Sequence, residues 1–250
     1  MKRKKSKTKL DKINALLTDP YISRHVPETM EYEEKNLWRM LRKHSTVYVK
    51  PVKGHMGLGI FRVKKFSEAR YEISSANYIQ QVRGTQLVPQ VTALVGDKDY
   101  FLQQGIDLAT YKNCPFDIRI VMQRPYKVWR LTLSSAKVAN REGAVVTNVA
   151  QGATDYPLDE ILKKYDQRRN PLSTFRELVD LSHQIASVLG SAFSMKIVGL
   201  DLALDKKGRI WFLEGNNQPQ CARCKLVNDK MSKEKYEEAR RWLTEEKTHQ

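Results

Sequence analysis

Apolar residues recur along the chain in two patterns. Short runs of β-branched and aromatic residues are typical of strands, and apolar residues at three- and four-residue intervals are typical of helices. The runs predict strands over 46–52, 60–65, 100–104, 117–123, 128–139, 197–204 and 209–213. The spacing predicts helices over 10–18, 29–41, 85–95 and 232–246. Because the strands come in antiparallel pairs with helices between them, we predict an α+β fold rather than a doubly wound parallel sheet.

One further helix has a predicted start. Thr174 and Glu177 have the spacing of a capping box, so a long helix is predicted to begin at Thr174. Its predicted buried face is Leu178, Leu181, Ile185, Leu189 and Ala192.

Charge narrows the range of partners. The 250 residues carry a net charge of +16, which fits nucleotide phosphates, nucleic acid, an acidic protein or an anionic surface. Residues 1–9 form a basic run that we expect to be a solvated arm; its charged residues are Lys2, Arg3, Lys4, Lys5, Lys7 and Lys9. A membrane-spanning helix needs about 20 apolar residues, and no such stretch or secretory signal is present, so we expect a cytoplasmic protein.

The cysteines do not indicate a disulfide framework. There are three of them, and Cys221 and Cys224 form a C-x-x-C pair without a second pair of ligands. A structural zinc site requires four ligands. We therefore favour two reduced thiols over a metal or redox site.

A glycine-rich loop separates the first two predicted strands. Gly54, Gly57 and Gly59 have the spacing G-x-x-G-x-G, and Lys50 lies on the preceding strand. Glycines allow backbone N–H groups to approach phosphates closely, and a nearby lysine can contribute a positive charge. The alternative is a flexible hairpin turn beside an exposed lysine.

Two acidic residues lie on the last two predicted strands. If the turn at 205–208 pairs Leu204 with Arg209, Asp201 pairs with Phe212, and Glu214 lies diagonally on the same face as Asp201. Asn216 follows on the same side. Carboxylate and amide oxygens suit Mg²⁺. The alternative is that Asp201 and Glu214 form ion pairs with Lys and Arg.

These segments together resemble the ATP-grasp superfamily over roughly residues 45–220. The similar segments occur in the family's order: Val49–Pro51 with the glycine loop, Leu102–Ile106, Phe116–Arg119, Thr147–Asn148 with Gln151–Gly152, and Asp201 with Glu214 and Asn216. The branch that contains glutathione synthetase and the ribosomal-protein glutamate ligase is similar. The endospore-coat-associated group is the most similar, through His25–Thr29, Lys50–Gly54, Gln103–Ile106, Pro115–Arg119, Val146–Val149 and Gly208–Trp211.

The resemblance implies two α+β lobes that clasp a nucleotide, without the usual N-terminal lobe. The expected segments are a basic disordered arm (1–9), a helical N-terminal segment (10–44), a small lobe with the glycine flap (45–106) and a large lobe with the metal site and C-terminal helix (107–250). The implied cofactors are ATP and one or two Mg²⁺ ions, with Mn²⁺ as an alternative.

The resemblance also implies a role for each motif residue. Lys50 with Gly54, Gly57 and Gly59 would bind the phosphates, and Asp117 the ribose. Adenine would lie against the backbone at Gln103, Gln104, Gly105 and Ile106. Arg119 and Asn148 would assist the reacting phosphate, and Asp201, Glu214 and Asn216 would hold the metal.

Three positions depart from the family pattern or match it weakly. Gln104 stands where the family commonly has Glu, and Val146 stands where the ligases have an Arg that assists the reacting phosphate. Lys12 is a weak match to the family's first ATP lysine. The Val146 departure casts doubt on ligase chemistry but not on ATP binding.

Three functions follow as hypotheses. The leading one is an ADP-forming carboxylate–amine or carboxylate–thiol ligase with unknown substrates. The second is a catalytically weak nucleotide-binding protein of a spore-coat assembly, with coat proteins as partners. Nucleic-acid binding is third, because no nucleic-acid-binding motif accompanies the charge.

Overall fold

The computed structural model describes residues 8–54, 57–147 and 149–248, and contains two antiparallel sheets. The small-lobe sheet contains β1 (Thr29–Glu31), β2 (Thr46–Pro51), β3 (Phe61–Lys65), β4 (Arg70–Ser74), β5 (Ile79–Arg83) and β6 (Tyr100–Gln104), in the spatial order β1-β6-β2-β3-β4-β5. Helices α2 (Glu34–Lys43) and α3 (Gly84–Val95) pack against it through the buried side chains of Leu37, Leu41, Leu87 and Val91.

The large-lobe sheet is built around two long central strands. Its strands are β7 (Thr110–Tyr111), β8 (Cys114–Gln123), β9 (Arg130–Val138), β10 (Thr154–Tyr156), β11 (Ile197–Leu204) and β12 (Ile210–Asn216), in the order β10-β9-β8-β11-β12 with β7 beside β8. The accompanying helices are α1 (Lys9–Leu17), α4 (Leu158–Lys164), α5 (Pro171–Phe193), α6 (Ala222–Leu226) and α7 (Lys230–Thr248).

Side-chain alternation divides the large-lobe sheet into two faces. On β8, Phe116, Ile118 and Ile120 are fully buried in the core that α1, α4 and α5 complete. Successive strand residues point to opposite faces, so Asp117 and Arg119 point the other way. At one end this second face is covered by α6 and α7, and at the other it faces the small lobe. The polar residues of β8 are therefore presented to the space between the lobes.

Most predicted elements are present, and the differences have local causes. Residues 29–31 belong to a strand and not to the predicted helix 29–41, because they pair with residues 101–103 of β6. The long helix begins at Pro171 and not at Thr174. Its N-cap is Asn170, whose side chain accepts a hydrogen bond from the Ser173 amide, and proline suits the first helical position.

The N-terminal arm and several short elements also differ from expectation. Thr8 caps α1 and Lys9 is its first residue, so the predicted arm 1–9 does not extend to Lys9. Strands β1, β4, β5, β7 and β10 and helices α4 and α6 were not predicted. They are short, and an element of a few residues offers too few positions for a period to be recognised. No helix in the described ranges is long and apolar enough to cross a membrane.

Candidate functional site

A row of acidic side chains lies where β11 and β12 pair. The structure corrects the predicted register: Leu204 pairs with Ile210, and Leu202 with Phe212. A bulge between Asp201 and Leu202 then places Asp201 directly opposite Glu214. The cause is the turn: the Asp205 amide donates to the Arg209 carbonyl at 2.9 Å and the Arg209 amide donates to the Asp205 side chain, so Arg209 lies opposite Asp205 and not opposite Leu204. The two carboxylates share one face of the sheet, as predicted, but through a different register.

Asn216 continues this row. It lies two residues beyond Glu214 on β12 and pairs with Gly199 of β11. Alternation along the strand puts it on the same face as Glu214. A side chain at position 199 would be 2.4 Å from Pro219, so glycine is required for the close approach of the segment after β12.

The sheet brings two cations to Asp201. Arg119, which pairs with Asp201 across β8 and β11, donates two hydrogen bonds of 2.8 and 3.0 Å to the two carboxylate oxygens. The Lys137 ammonium of β9 lies 2.9 Å from Asp201 Oδ1 and 2.8 Å from Asp117 Oδ1. The Thr147 hydroxyl donates to the other oxygen of Asp117. Both acids are thus fixed by an almost fully buried network.

The surroundings shift the pKa values of Asp201 and Asp117 in opposite directions. Burial alone would raise the pKa of Asp201, but Arg119 and Lys137 outweigh it and lower that pKa to about 2. Burial raises the pKa of Asp117 to about 6, against the opposing effect of Lys137. Near neutral pH Asp201 is therefore a stable anion, whereas the pKa of Asp117, at about 6, lies close to that pH.

Lys50 faces this network from the small lobe. It lies on β2 and donates a hydrogen bond to the side chain of Gln103 on β6. Burial lowers the pKa of Lys50 to about 8, although Glu214 acts in the opposite direction. Lys50, Asp117, Asp201 and Glu214 line one cavity, so the structure brings the predicted lysine and the predicted carboxylates together.

The described part of the glycine loop borders the same cavity. Gly57 lines the cavity, and Gly57 and Gly59 both have φ of +72°, a conformation that favours glycine. Gly54 lies at the start of the loop, and residues 55 and 56 lie outside the described residues.

The segment predicted to meet adenine is built into the sheet. Gln103, Gln104 and Ile106 line the cavity. The amides of Gln104 and Gly105 donate to the carbonyls of Glu28 and Thr46, at 2.8 and 2.9 Å. Those two N–H groups are therefore not available to adenine, and the expected adenine contact of residues 103–106 stays a prediction. A side chain at Gly105 would be 2.5 Å from Thr46.

Asn148 and Lys12 are the remaining predicted site residues, and the structure treats them differently. Asn148 lies outside the described residues, whereas its neighbours Val146 and Thr147 line the cavity. Lys12 is 7% exposed and donates to the Gly215 carbonyl at 2.6 Å. Lys12 thus holds α1 against β12, and the residue of α1 that lines the cavity is Lys9.

Sequence reasoning missed Lys137 and Thr147. Lys137 offered a signal, since it is a charged residue between Ala136 and Val138 within a predicted strand. Thr147 offered little, because its role depends on where the loop after β9 lies.

Cys221 and Cys224 are both buried as free thiols. Burial raises the pKa of Cys224 to about 11, and this disfavours the thiolate that metal binding or redox chemistry requires.

The donor set can be tested against magnesium. Asp201, Glu214 and Asn216 offer two carboxylates and an amide oxygen, which are hard ligands of the kind Mg²⁺ takes. Both acids form ion pairs, as the alternative from sequence proposed. Those of Asp201 are short, whereas the Lys9 ammonium lies 3.6 Å from Glu214. The donor types therefore fit Mg²⁺, and the oxygens of Asp201 are the ones already engaged by Arg119 and Lys137.

A cleft between two antiparallel sheets, with a lysine and glycine flap on one and a carboxylate row on the other, defines an ATP-grasp fold. The sequence profile of the family described as YheC/D-like ATP-grasp matches residues 3–243, and the chain belongs to that family.

Two curated relatives and one solved structure show the extent of the similarity. The chain is 23% identical over 185 residues to the endospore coat-associated protein YheD of Bacillus subtilis (strain 168), covering 70% of this chain and 40% of YheD. It is 22% identical over 208 residues to the endospore coat-associated protein YheC of the same organism, covering 79% of this chain and 56% of YheC. The chain spans about half the length of these relatives.

The solved structure is the ATP-grasp ligase PsnB in complex with a phosphomimetic variant of a minimal precursor, Mg and ADP. It has a TM-score of 0.56 and 12% identity, covering 94% of this chain and 59% of the PsnB chain. At this identity the similarity shows the fold.

Proposed function

We propose that this protein binds ATP and Mg²⁺ between its two sheets and uses them to join a carboxylate to an amine or a thiol. The observation that supports this is the single cavity lined by Lys50 from one sheet and by Asp117, Asp201 and Glu214 from the other. An ammonium group that faces carboxylates across a cavity bordered by a glycine loop suits a metal-bound polyphosphate. The metal offsets the repulsion between the phosphates and the acids.

Each element would contribute one part of the nucleotide site. Lys50 and the amides around Gly57 would bind the phosphates, and Asp117 would accept hydrogen bonds from the ribose hydroxyls. Adenine would lie against Gln104 and Ile106. Glu214 and Asn216, with Asp201, would hold one or two Mg²⁺ ions, which neutralise phosphate charge when bound; Mn²⁺ suits the same oxygen ligands.

The proposed reaction needs no nucleophilic side chain. A carboxylate oxygen of the acceptor would attack the γ-phosphorus, and the bond from that phosphorus to the β–γ bridging oxygen would break to give an acyl phosphate and ADP. The amine would then attack the acyl carbon, lose a proton and release phosphate. Arg119 would stabilise charge by holding Asp201 in place, and Asn148 would assist at the reacting phosphate. Alignment and charge neutralisation supply most of the catalysis in such reactions.

A second cavity offers room for the acceptor. It has a volume of about 510 Å³ and shares Gly57, Lys137, Asp201 and Glu214 with the proposed nucleotide cavity. Its other lining residues include Asn216, Gln218, Gln220 and Arg223. Arg223 is exposed on α6, and a guanidinium can bind a carboxylate with two hydrogen bonds. We propose that an acidic acceptor lies here, with its reactive carboxylate at the shared wall.

The second candidate function is a nucleotide-binding structural protein of a spore-coat assembly. Val146 in the cavity wall supports it, because the ligases carry Arg at that position. The names of YheC and YheD also support it. Measurement of ADP release by the purified protein with a panel of acids and amines separates the two functions. ADP release that depends on both substrates favours the ligase; tight ATP binding without ADP release favours the structural protein.

Substitution of Lys50 by Met is expected to raise the dissociation constant for ATP by roughly tenfold or more, because it removes a charge-assisted hydrogen bond to phosphate. The increase should persist with EDTA present, since Lys50 acts without the metal. Calorimetric titration measures both constants. Lys98→Met, which removes the same charge from an exposed position of the small lobe, should bind ATP as the wild type does. Equal affinities of Lys50→Met and wild type would contradict the assignment.

Substitution of Arg223 by Met is expected to raise the KM for the acidic acceptor by roughly tenfold, because a bidentate hydrogen-bonded ion pair is lost. The KM for ATP should be unchanged, since Arg223 lines only the second of the two cavities. Steady-state assays of ADP release measure both values. An equal rise in the two KM values would indicate a general disturbance and contradict the acceptor assignment.

A further inference from the structure

Helix α1 is fixed firmly at the edge of the site. The Thr8 side chain caps its first turn in a capping box with Asp11. Ile13 and Leu16 are buried in the large-lobe core, and Lys12 is tied to the Gly215 carbonyl. The position of Lys9, one turn before Ile13, therefore follows from the packing of the helix.

Lys9 is directed to a residue of the proposed metal site. Its ammonium lies 3.6 Å from the Glu214 carboxylate, and its side chain is 14% exposed. It lines the same cavity as Lys50. Lys9 and Lys50 thus approach one cavity from different lobes, and the carboxylate of Glu214 attracts both of them.

We propose that Lys9 is an exchangeable counter-ion, which pairs with Glu214 in the empty site and moves to a phosphate oxygen once Glu214 binds the metal. This inference rests on the proposed function. A divalent cation on Glu214 would repel the ammonium of Lys9, and a polyphosphate in the shared cavity would offer it a new anion within reach of a flexible side chain. Since α1 packs on the large lobe, Lys9 would bind the phosphates from the side opposite to Lys50.

Two titrations of Lys9→Met distinguish this role from a structural one, because their expected shifts have opposite signs. Mn²⁺ alone, followed by electron paramagnetic resonance, should bind roughly threefold more tightly to Lys9→Met, since an ion pair worth a fraction of a kcal/mol no longer competes for Glu214. ATP in the presence of saturating Mg²⁺ should bind roughly tenfold more weakly, since a charge-assisted hydrogen bond to phosphate is lost.

Two further variants control for charge and for size. Lys163→Met removes the same charge from a side chain that is 63% exposed on α4, and both constants should match the wild type. Lys9→Arg keeps the charge and should recover most of the ATP affinity. Constants for Lys9→Met that match the wild type, or that weaken together, would overturn the exchange. A wild type that binds no ATP would overturn the proposed function and this inference with it. Unchanged or jointly weakened constants of Lys9→Met would overturn the exchange alone and leave the proposed function standing.

Discussion

Substitution of Asp201 by Asn is expected to lower the free energy of unfolding by roughly 3 kcal/mol or more, because removal of one partner from a buried ion pair leaves the other charge uncompensated. Arg119 donates two hydrogen bonds to Asp201, and its side chain is 15% exposed. Lys137 would keep Asp117 as its partner. The guanidinium of Arg119 is therefore the group that loses most. Urea unfolding followed by circular dichroism measures the change.

A control and a double substitution make this result specific. Asp159→Asn breaks an ion pair whose carboxylate is 72% exposed, and it should change stability by no more than about 0.5 kcal/mol. Arg119→Met combined with Asp201→Asn should be less destabilising than the sum of the two single changes, because neither charge is then left alone. Additive effects, or a loss below about 1 kcal/mol for Asp201→Asn, would contradict a tightly coupled pair.

Asp201→Asn is also expected to reduce the dependence of ATP affinity on Mg²⁺. The loss of stability complicates that measurement, since a partly unfolded sample also binds less nucleotide. Titrations should therefore be made at a temperature where the variant is still folded. Glu214, which is less buried and less tightly paired, allows a cleaner test of the metal assignment.

The long elements of the fold could be predicted from sequence because their periods are clear. Strands β2, β6 and β11 and helices α1, α3 and α7 lie within one or two residues of the predicted bounds. The short strands β4 and β5 could not be predicted, because they form through pairing with β3 and with each other. Residues 29–31 show the same limit, since only their pairing with β6 makes them a strand.

The site shows a similar division. Asp201 and Glu214 could be placed on one face from strand alternation alone, although the predicted register was wrong. The turn sets the register, because the Asp205 side chain accepts hydrogen bonds from the amides of Lys207 and Arg209. The number of residues in that turn is not visible in the hydrophobic pattern. The ion pair between Arg119 and Asp201 depends on the order β8-β11-β12, which joins residues 82 positions apart. No local pattern contains that information.

Substitution of Glu214 by Gln is expected to remove most of the effect of Mg²⁺ on ATP binding while leaving the fold intact. The side chain of Glu214 is 30% exposed, and its ion pair with Lys9 is long, at 3.6 Å. Its loss should therefore change stability by less than about 1 kcal/mol. The Mg²⁺-dependent gain in ATP affinity should fall by roughly 100-fold, since even the residues that support metal ligands contribute 10- to 100-fold.

The ATP affinity of Glu214→Gln without Mg²⁺ shows whether the lost Mg²⁺ effect comes from a lost metal ligand. Without Mg²⁺, Glu214→Gln should bind ATP as tightly as the wild type or slightly more tightly, because a negative charge beside the phosphates has been removed. If Glu214 served only as a partner for Lys9, its substitution would have no effect specific to Mg²⁺. Calorimetric titrations with ATP in Mg²⁺ and in EDTA separate these cases. Glu160→Gln, which removes an acidic residue paired with Lys164 on the surface of α4, should match the wild type in both. A full Mg²⁺ effect in Glu214→Gln would exclude Glu214, the acidic residue of β12, as a metal ligand.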